Sequence, residues 1–178
     1  MKARFVTTWM FVALVSLASA ALAQDRRDVR AADDISRAVN RYSRFTIFDD
    51  INARIENGMV TLSGKVTMPY KKDDIGKIVA KVDGVREVQN NIEVLPVSTF
   101  DENLRYRIAR AIYGNPSFWN YATMANPPIH IIVEGGHVRL TGVVNSNVER
   151  MLARSLATGF GELSVVNELK TDAEVRSE

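Results

Sequence analysis

The sequence predicts an α+β protein of two tandem αββαβ domains, each a small mixed three-stranded sheet with two helices on one face. Three observations predict it. The segment Val60-Thr61-Leu62-Ser63-Gly64-Lys65-Val66 returns as Val138-Arg139-Leu140-Thr141-Gly142-Val143-Val144. Both copies follow a glycine turn and precede a stretch of helical spacing. The copies lie about 78 residues apart, beyond the ~20–50-residue periods of stacking repeats, so each is a self-contained domain. The expected limits are 33–96 and 101–171, with a short linker near Pro96 to Asp101.

Residues 1–23 read as a secretory leader. Lys2 and Arg4 precede an apolar run from Phe11 to Leu22, and Ala21-Leu22-Ala23 offers small residues for cleavage after Ala23. Ser16 and Ser19 interrupt the run, which is short for a membrane span of about 20 residues. The mature chain is therefore expected to be exported and to have no transmembrane segment. Of 23 basic and 21 acidic residues, Lys2 and Arg4 leave with the leader, and 21 against 21 remain. A neutral chain lacks the field that draws a protein to nucleic acid. With no cysteine, the fold must be held by hydrophobic burial without disulfides.

In the first copy, Ile35, Ala38, Val39 and Tyr42 recur at helical spacing, and Asp33 or Asp34 is placed to cap a helix over 34–44. Ile51, Ala53 and Ile55 alternate with polar residues up to Asn57-Gly58. Val60, Leu62, Gly64 and Val66 alternate after it. This is a β-hairpin with one buried face, because Asn-Gly tolerates the positive φ of a tight turn. Beyond Pro69, Ile75, Ile78, Val79 and Val82 form a second helical stripe closed by Gly84. A last strand carries Val88, Asn90, Ile92 and Val94 on one parity.

The second copy repeats the order. Leu104, Ile108, Ala111 and Ile112 mark a helix, and Ile129, Ile131 and Val133 mark a strand. Gly135-Gly136 turns the chain into Val138, Leu140 and Val144. Ser146 and Glu149 have capping-box spacing, and Val148, Leu152 and Leu156 are expected to face inward before Gly161 ends the helix. Val165, Asn167 and Leu169 form the final strand.

A helix, a hairpin ending in Val-x-Leu-x-Gly-x-Val, a helix closed by glycine and a strand with Val-x-Asn together resemble the BON domain, named for bacterial osmotically induced and nodulation proteins. The matching positions are Val60, Leu62, Gly64, Gly84, Val85, Val88 and Asn90, then Val138, Leu140, Gly142, Gly161, Val165 and Asn167. Two copies behind a leader are similar to the tandem-BON periplasmic proteins. The resemblance implies residence in the envelope, no catalysis, and contact with phospholipid or support of envelope proteins under stress. The second copy departs from the first by an insert, Asn115 to Pro128, longer and more aromatic than Ser43 to Asp50.

That insert holds the sharpest candidate contact residues: Phe118, Trp119, Tyr121 and Met124, with Tyr113 just before it. Two readings stand open. The aromatics fold back over the second core, or they meet a lipid boundary or a peptide, with Trp119 and Tyr121 the more exposed. Arg37, Arg41 and Arg44 recur near helical spacing on the outer side of the first helix, either as a solvated face or as contacts for anionic headgroups. Outward positions of the second hairpin, His130, Ile132 and Val143, are partly apolar where the first copy has polar side chains. An apolar sheet face of this kind marks an interface, with the other domain or with another chain, and domain packing is the expectation ahead of a ligand site.

Groups for catalysis do not converge in this pattern. Two histidines without a third ligand make a poor zinc site, and no Gly-rich run precedes a helix to cradle a nucleotide. The expectation is no catalytic residue, no metal and no cofactor. The expected function is envelope maintenance through contact with phospholipid membranes. A chaperone that holds unfolded or outer-membrane proteins is the alternative, and oligomer scaffolding is a third.

Overall fold

The computed structural model describes residues 26–177, so the expected leader and its cleavage site lie outside the described residues. The first domain opens with α1, over residues 26–40, which includes Asp33 and Asp34 in its interior. The expected helix over 34–44 is thus displaced toward the N-terminus. After Asn40 the chain turns, which aims the Tyr42 hydroxyl at the Asp74 carboxylate, 2.6 Å away, and brings Phe45 against the core. At the other end, the Asp28 carboxylate accepts the N–H groups of Asn57 and Gly58 at 2.7 and 3.2 Å. That tie couples α1 to the hairpin turn.

Strands β1 (Asp50–Glu56) and β2 (Met59–Val66) pair antiparallel with Ile55 opposite Val60 and Ala53 opposite Leu62. Gly64 sits at φ 118°, where a Cβ would lie 2.1 Å from the Asp50 carbonyl oxygen, so no other residue fits this close strand crossing. Helix α2 (Pro69–Val79) then returns the chain to pair β3 (Glu87–Asn90) and β4 (Glu93–Val94) parallel with β2. The single last strand expected from parity is broken in two. Asn90 breaks it: its Nδ2 donates to the Lys72 carbonyl at 2.8 Å, and its Oδ1 accepts the Ile92 N–H at 3.2 Å. Ile35, Val39, Val60, Leu62, Val66, Ile75, Val79 and Ile92 are buried between sheet and helices.

The second domain has the same plan. Helix α3 (Thr99–Tyr113) begins after Ser98, whose hydroxyl accepts the Asp101 N–H at 3.2 Å. A 3₁₀ turn (Pro116–Phe118) and α4 (Trp119–Ala122) occupy the insert. Strands β5 (Ile129–Glu134) and β6 (His137–Val144) form the hairpin, and α5 (Asn147–Leu156) leads to β7 (Ser164–Asn167) and β8 (Lys170–Thr171), both parallel to β6. Asn167 breaks its strand as Asn90 does, donating to the Arg150 carbonyl at 2.8 Å and accepting from Leu169 at 3.3 Å. A short α6 (Asp172–Ser177) follows β8. The two αββαβ domains of the expected α+β class are therefore present, each with an additional two-residue strand.

One helix is rotated from the expected setting. Val148 is 75 % exposed, whereas Leu152 and Leu156 pack half-buried against the core as expected, beside the fully buried Ala153 and Ala157. The rotation follows from its tied N-terminus: Ser146 Oγ accepts the Glu149 N–H, and the Glu149 carboxylate accepts the Asn145 N–H at 2.9 Å. Alanine at the contact lets the helix backbone lie close to the sheet, where a leucine would hold it away.

Candidate functional site

The aromatic insert divides into a buried half and an exposed half. Phe118 is fully buried, with its ring centroid 6.0 Å from that of Tyr121. Tyr121 is 5 % exposed, which corrects the expectation of an exposed Tyr121. Its hydroxyl donates to Glu149 at 2.6 Å and accepts the Asn145 N–H at 3.0 Å, so the insert is tied to the start of α5. Burial and then the Glu149 carboxylate push the Tyr121 hydroxyl up to about 12. Trp119 is 61 % exposed and Met124 48 % exposed. The Tyr121–Glu149 bond ties α4 to the first turn of α5, where Val148 is exposed, as is Met151 one turn further along the helix.

Tyr113 serves the sheet rather than the surface. Its hydroxyl donates to the Ile129 carbonyl at 2.5 Å and accepts the Ile129 N–H at 3.1 Å, and burial raises its pKa. Phe118, Tyr121 and Tyr113 are thus held in the fold by packing or by their hydroxyl bonds. Sequence spacing could not separate them from Trp119, because the 3₁₀ turn at Pro116 resets the direction of each side chain.

The three arginines do not share a helical face, since α1 ends at Asn40, before Arg41 and Arg44. Arg37 pairs with Asp34 one turn earlier, Arg44 stacks 5.1 Å over the Tyr70 ring, and Arg41 is exposed.

The domains meet along the segment that enters β1. Ile47 and Phe48 pack against the second domain's core, and Phe48 meets the Tyr106 ring edge-on at 5.2 Å. His130 Nδ1 lies 2.6 Å from the Asp49 carbonyl oxygen and its ring 5.4 Å from that of Phe45. Lys65 bridges to Glu134 at 2.5 Å, and Arg139 to Asp50 at 3.5 Å. Ile132 is buried, and Val143 is half-buried beside the junction.

Between α1, β1 and the outward face of β6 the junction leaves a cleft of about 740 Å³. Ile35, Val39 and Ile51 line one side, Arg139, Thr141 and Val143 the other. Thr141 is 8 % exposed, and its hydroxyl has no hydrogen-bond partner among the described residues. This cleft was not foreseen from the sequence, which pointed to the insert. The partly apolar outward strand of the second copy was its only local sign.

Among the described residues no group of three or more His, Cys, Asp or Glu side chains is arranged to hold a metal. No described helix is long and apolar enough to cross a membrane.

A family model for the BON domain matches residues 27–96 and again residues 101–173. The chain belongs to the BON domain family. Both BON domains begin at the helix that carries the tie to the hairpin turn, Asp28 in the first and Asp101 in the second. BON domains are known to bind phospholipids, occur in envelope and periplasmic proteins, and are generally non-catalytic. No curated protein matches the chain. Two solved structures of CdsD, a structural protein of the type III secretion system of Chlamydia trachomatis, are similar at 13 % and 14 % identity. They cover 81 % and 75 % of this chain and 96 % and 94 % of theirs. Their TM-scores of 0.31 and 0.26 carry no structural argument.

Proposed function

We propose that this BON protein is exported to the periplasm and, without catalysing a reaction, contacts phospholipid membrane surfaces through the end of its second domain. The observation that carries the reading is the division of the insert. Phe118 and Tyr121 anchor it, while Trp119 and Met124 are left exposed. An indole held on a rigid base suits a water–lipid boundary, since its ring is apolar and its N–H remains hydrated. Arg41, and Arg37 and Arg44 in exchange for their present partners, would add attraction for anionic headgroups.

Cosedimentation with vesicles tests it. Joint Trp119→Ala and Met124→Ala replacement should lower binding to both anionic and neutral vesicles without shifting the unfolding midpoint, and undiminished binding would remove this surface. Binding that weakens with added salt on anionic vesicles alone would assign part of the affinity to the arginines. The second reading, a chaperone that holds unfolded or outer-membrane proteins, is favoured by the cleft between the domains. Suppression of aggregation, measured on the same variants, separates the two.

A further inference from the structure

The hairpin geometry decides which backbone groups face out of each sheet. A two-residue turn closes on a hydrogen-bonded pair, here Glu56 with Met59 and Glu134 with His137. Alternate residues therefore point their N–H and C=O away from the partner strand: Ile51, Ala53 and Ile55 in β1, and Ile129, Ile131 and Val133 in β5.

On β5 four of these six groups are met by the rest of the protein. Tyr113 takes both polar groups of Ile129, the Ile47 carbonyl accepts the Ile131 N–H at 2.7 Å, and Arg105 Nη2 donates to the Val133 carbonyl at 2.7 Å. On β1 no described residue bonds the outward groups of Ile51, Ala53 or Ile55 outside the hairpin, and Ala53 is exposed. The cause can be read in the helices. Asp28 and Asp101 make the same bonds to their hairpin turns, so Ala32 stands in α1 where Arg105 stands in α3, and Asn40 where Tyr113 stands. Two long side chains that seal the second edge are short in the first. The space they leave opens into the cleft beside Ile51 and Ala53.

We propose that this groove receives an extended polypeptide segment, which joins the first domain's sheet along β1. Main-chain groups of the guest would pair with Ile51, Ala53 and Ile55, the mode by which exposed sheet edges bind peptides. Its apolar side chains would lie beside the half-buried Phe45 and Ile51, which line the cleft. The charges of the cleft are already opposed to one another, with Arg139 between Asp50 and Glu168 at 3.5 and 3.4 Å, so the guest is selected by backbone and apolar contact rather than charge. The protein itself shows the pattern, since the Ile47 carbonyl accepts the Ile131 N–H at the edge of β5 while the half-buried Ile47 and Phe48 pack against the second core. The inference is independent of the membrane surface proposed above, which lies on the insert.

The probe is an end-blocked, fluorescein-labelled peptide of alternating threonine and valine, eight residues long, titrated into the full chain. Binding is read by anisotropy and by amide shifts of Ile51, Ala53 and Ile55. Ala53→Pro removes an outward N–H, a change tolerated on a free edge, and should weaken binding at least tenfold while near-ultraviolet circular dichroism is retained. Ala32→Arg with Asn40→Tyr, which installs the second domain's seal, should do the same while leaving vesicle binding unchanged. Tight binding that survives both variants, or absence of binding to the native chain, overturns the proposal. So does a dimer of the native chain that Ala53→Pro dissolves, which would make a second copy the occupant of the edge. Loss of vesicle binding in the sealed variant, with peptide binding retained, would make the cleft a lipid site instead.

Discussion

The same corner of the two domains, where the hairpin's second strand enters its helix, is tied by different chemistry. In the first domain Asp49 is wholly buried and accepts Lys71 Nζ at 2.6 Å, with further bonds from the N–H and hydroxyl groups of both Thr46 and Thr67. In the second, the acid has moved to the helix: Glu149 stands where Lys71 stood, and the Tyr121 hydroxyl and Asn145 N–H meet it. Both corners require a polar tie because each leaves backbone N–H groups at a helix start. A buried ion pair meets that need in one copy, and a half-exposed carboxylate with a phenol in the other. The difference frees the second domain's insert to carry its own tyrosine, and with it to position Trp119.

The comparison can be broken most sharply at Asp49. Asp49→Ala would leave Lys71 buried without its counter-ion, and the first domain should lose about 4 kcal/mol in denaturant unfolding. A loss below about 1 kcal/mol would mean that the buried pair is not the tie described. The hairpin turns come next. Buried Asp101 accepts the N–H groups of Gly135 and Gly136 at 2.9 and 2.8 Å, so Asp101→Ala should cost about 2 kcal/mol. The more exposed Asp28→Ala should cost about 1 kcal/mol, and equal losses would erase the distinction. Tyr121→Phe should destabilise the second domain by about 1 kcal/mol, since it removes the hydroxyl and retains the ring.

Alkaline titration sharpens the contrast with a smaller effect. The Tyr42 hydroxyl is pushed up to about 12 by burial and then by Asp74, and that of Tyr121 to about 12 by burial and then by Glu149. An unfolded tyrosine loses its proton near pH 10. The folded chain therefore holds more protons between about pH 10 and 12, so stability present below pH 10 falls across that window. Tyr42→Phe and Tyr121→Phe should each flatten the fall, as followed by urea midpoints against pH, and an unchanged slope in both would refute the assignment. Last, Arg54→Ala should leave the midpoint unmoved, because its bridge to Glu56 lies on the exposed face of the first sheet.

Much of this architecture was legible in the chain. Alternation in Val60, Leu62 and Val66 and in Val138, Leu140 and Val144 fixed the buried hairpin faces, because strand side chains alternate whatever surrounds them. Helix limits were less legible. Asp28 gives no periodic signal, and its role depends on a turn some thirty residues away. The rotation of α5 was hidden for a similar reason, since hydrophobicity alone favours Val148 inward, whereas the bonds at Asn145 and Glu149 set the start of the helix so that the alanines are fully buried. In the insert, composition located the aromatics, and only the turn at Pro116 sorted buried Phe118 from exposed Trp119.

By itself the sequence determined the duplicated αββαβ plan, the hairpin registers and the BON pattern, because these follow from local periodicity and from glycines whose backbone admits no substitute. Tertiary structure alone decided which sheet edge is sealed and which is open. That outcome turns on whether the side chains at two helical positions, Ala32 or Arg105 and Asn40 or Tyr113, span the gap to a strand that lies far along the chain, and reach across space leaves no trace in local spacing.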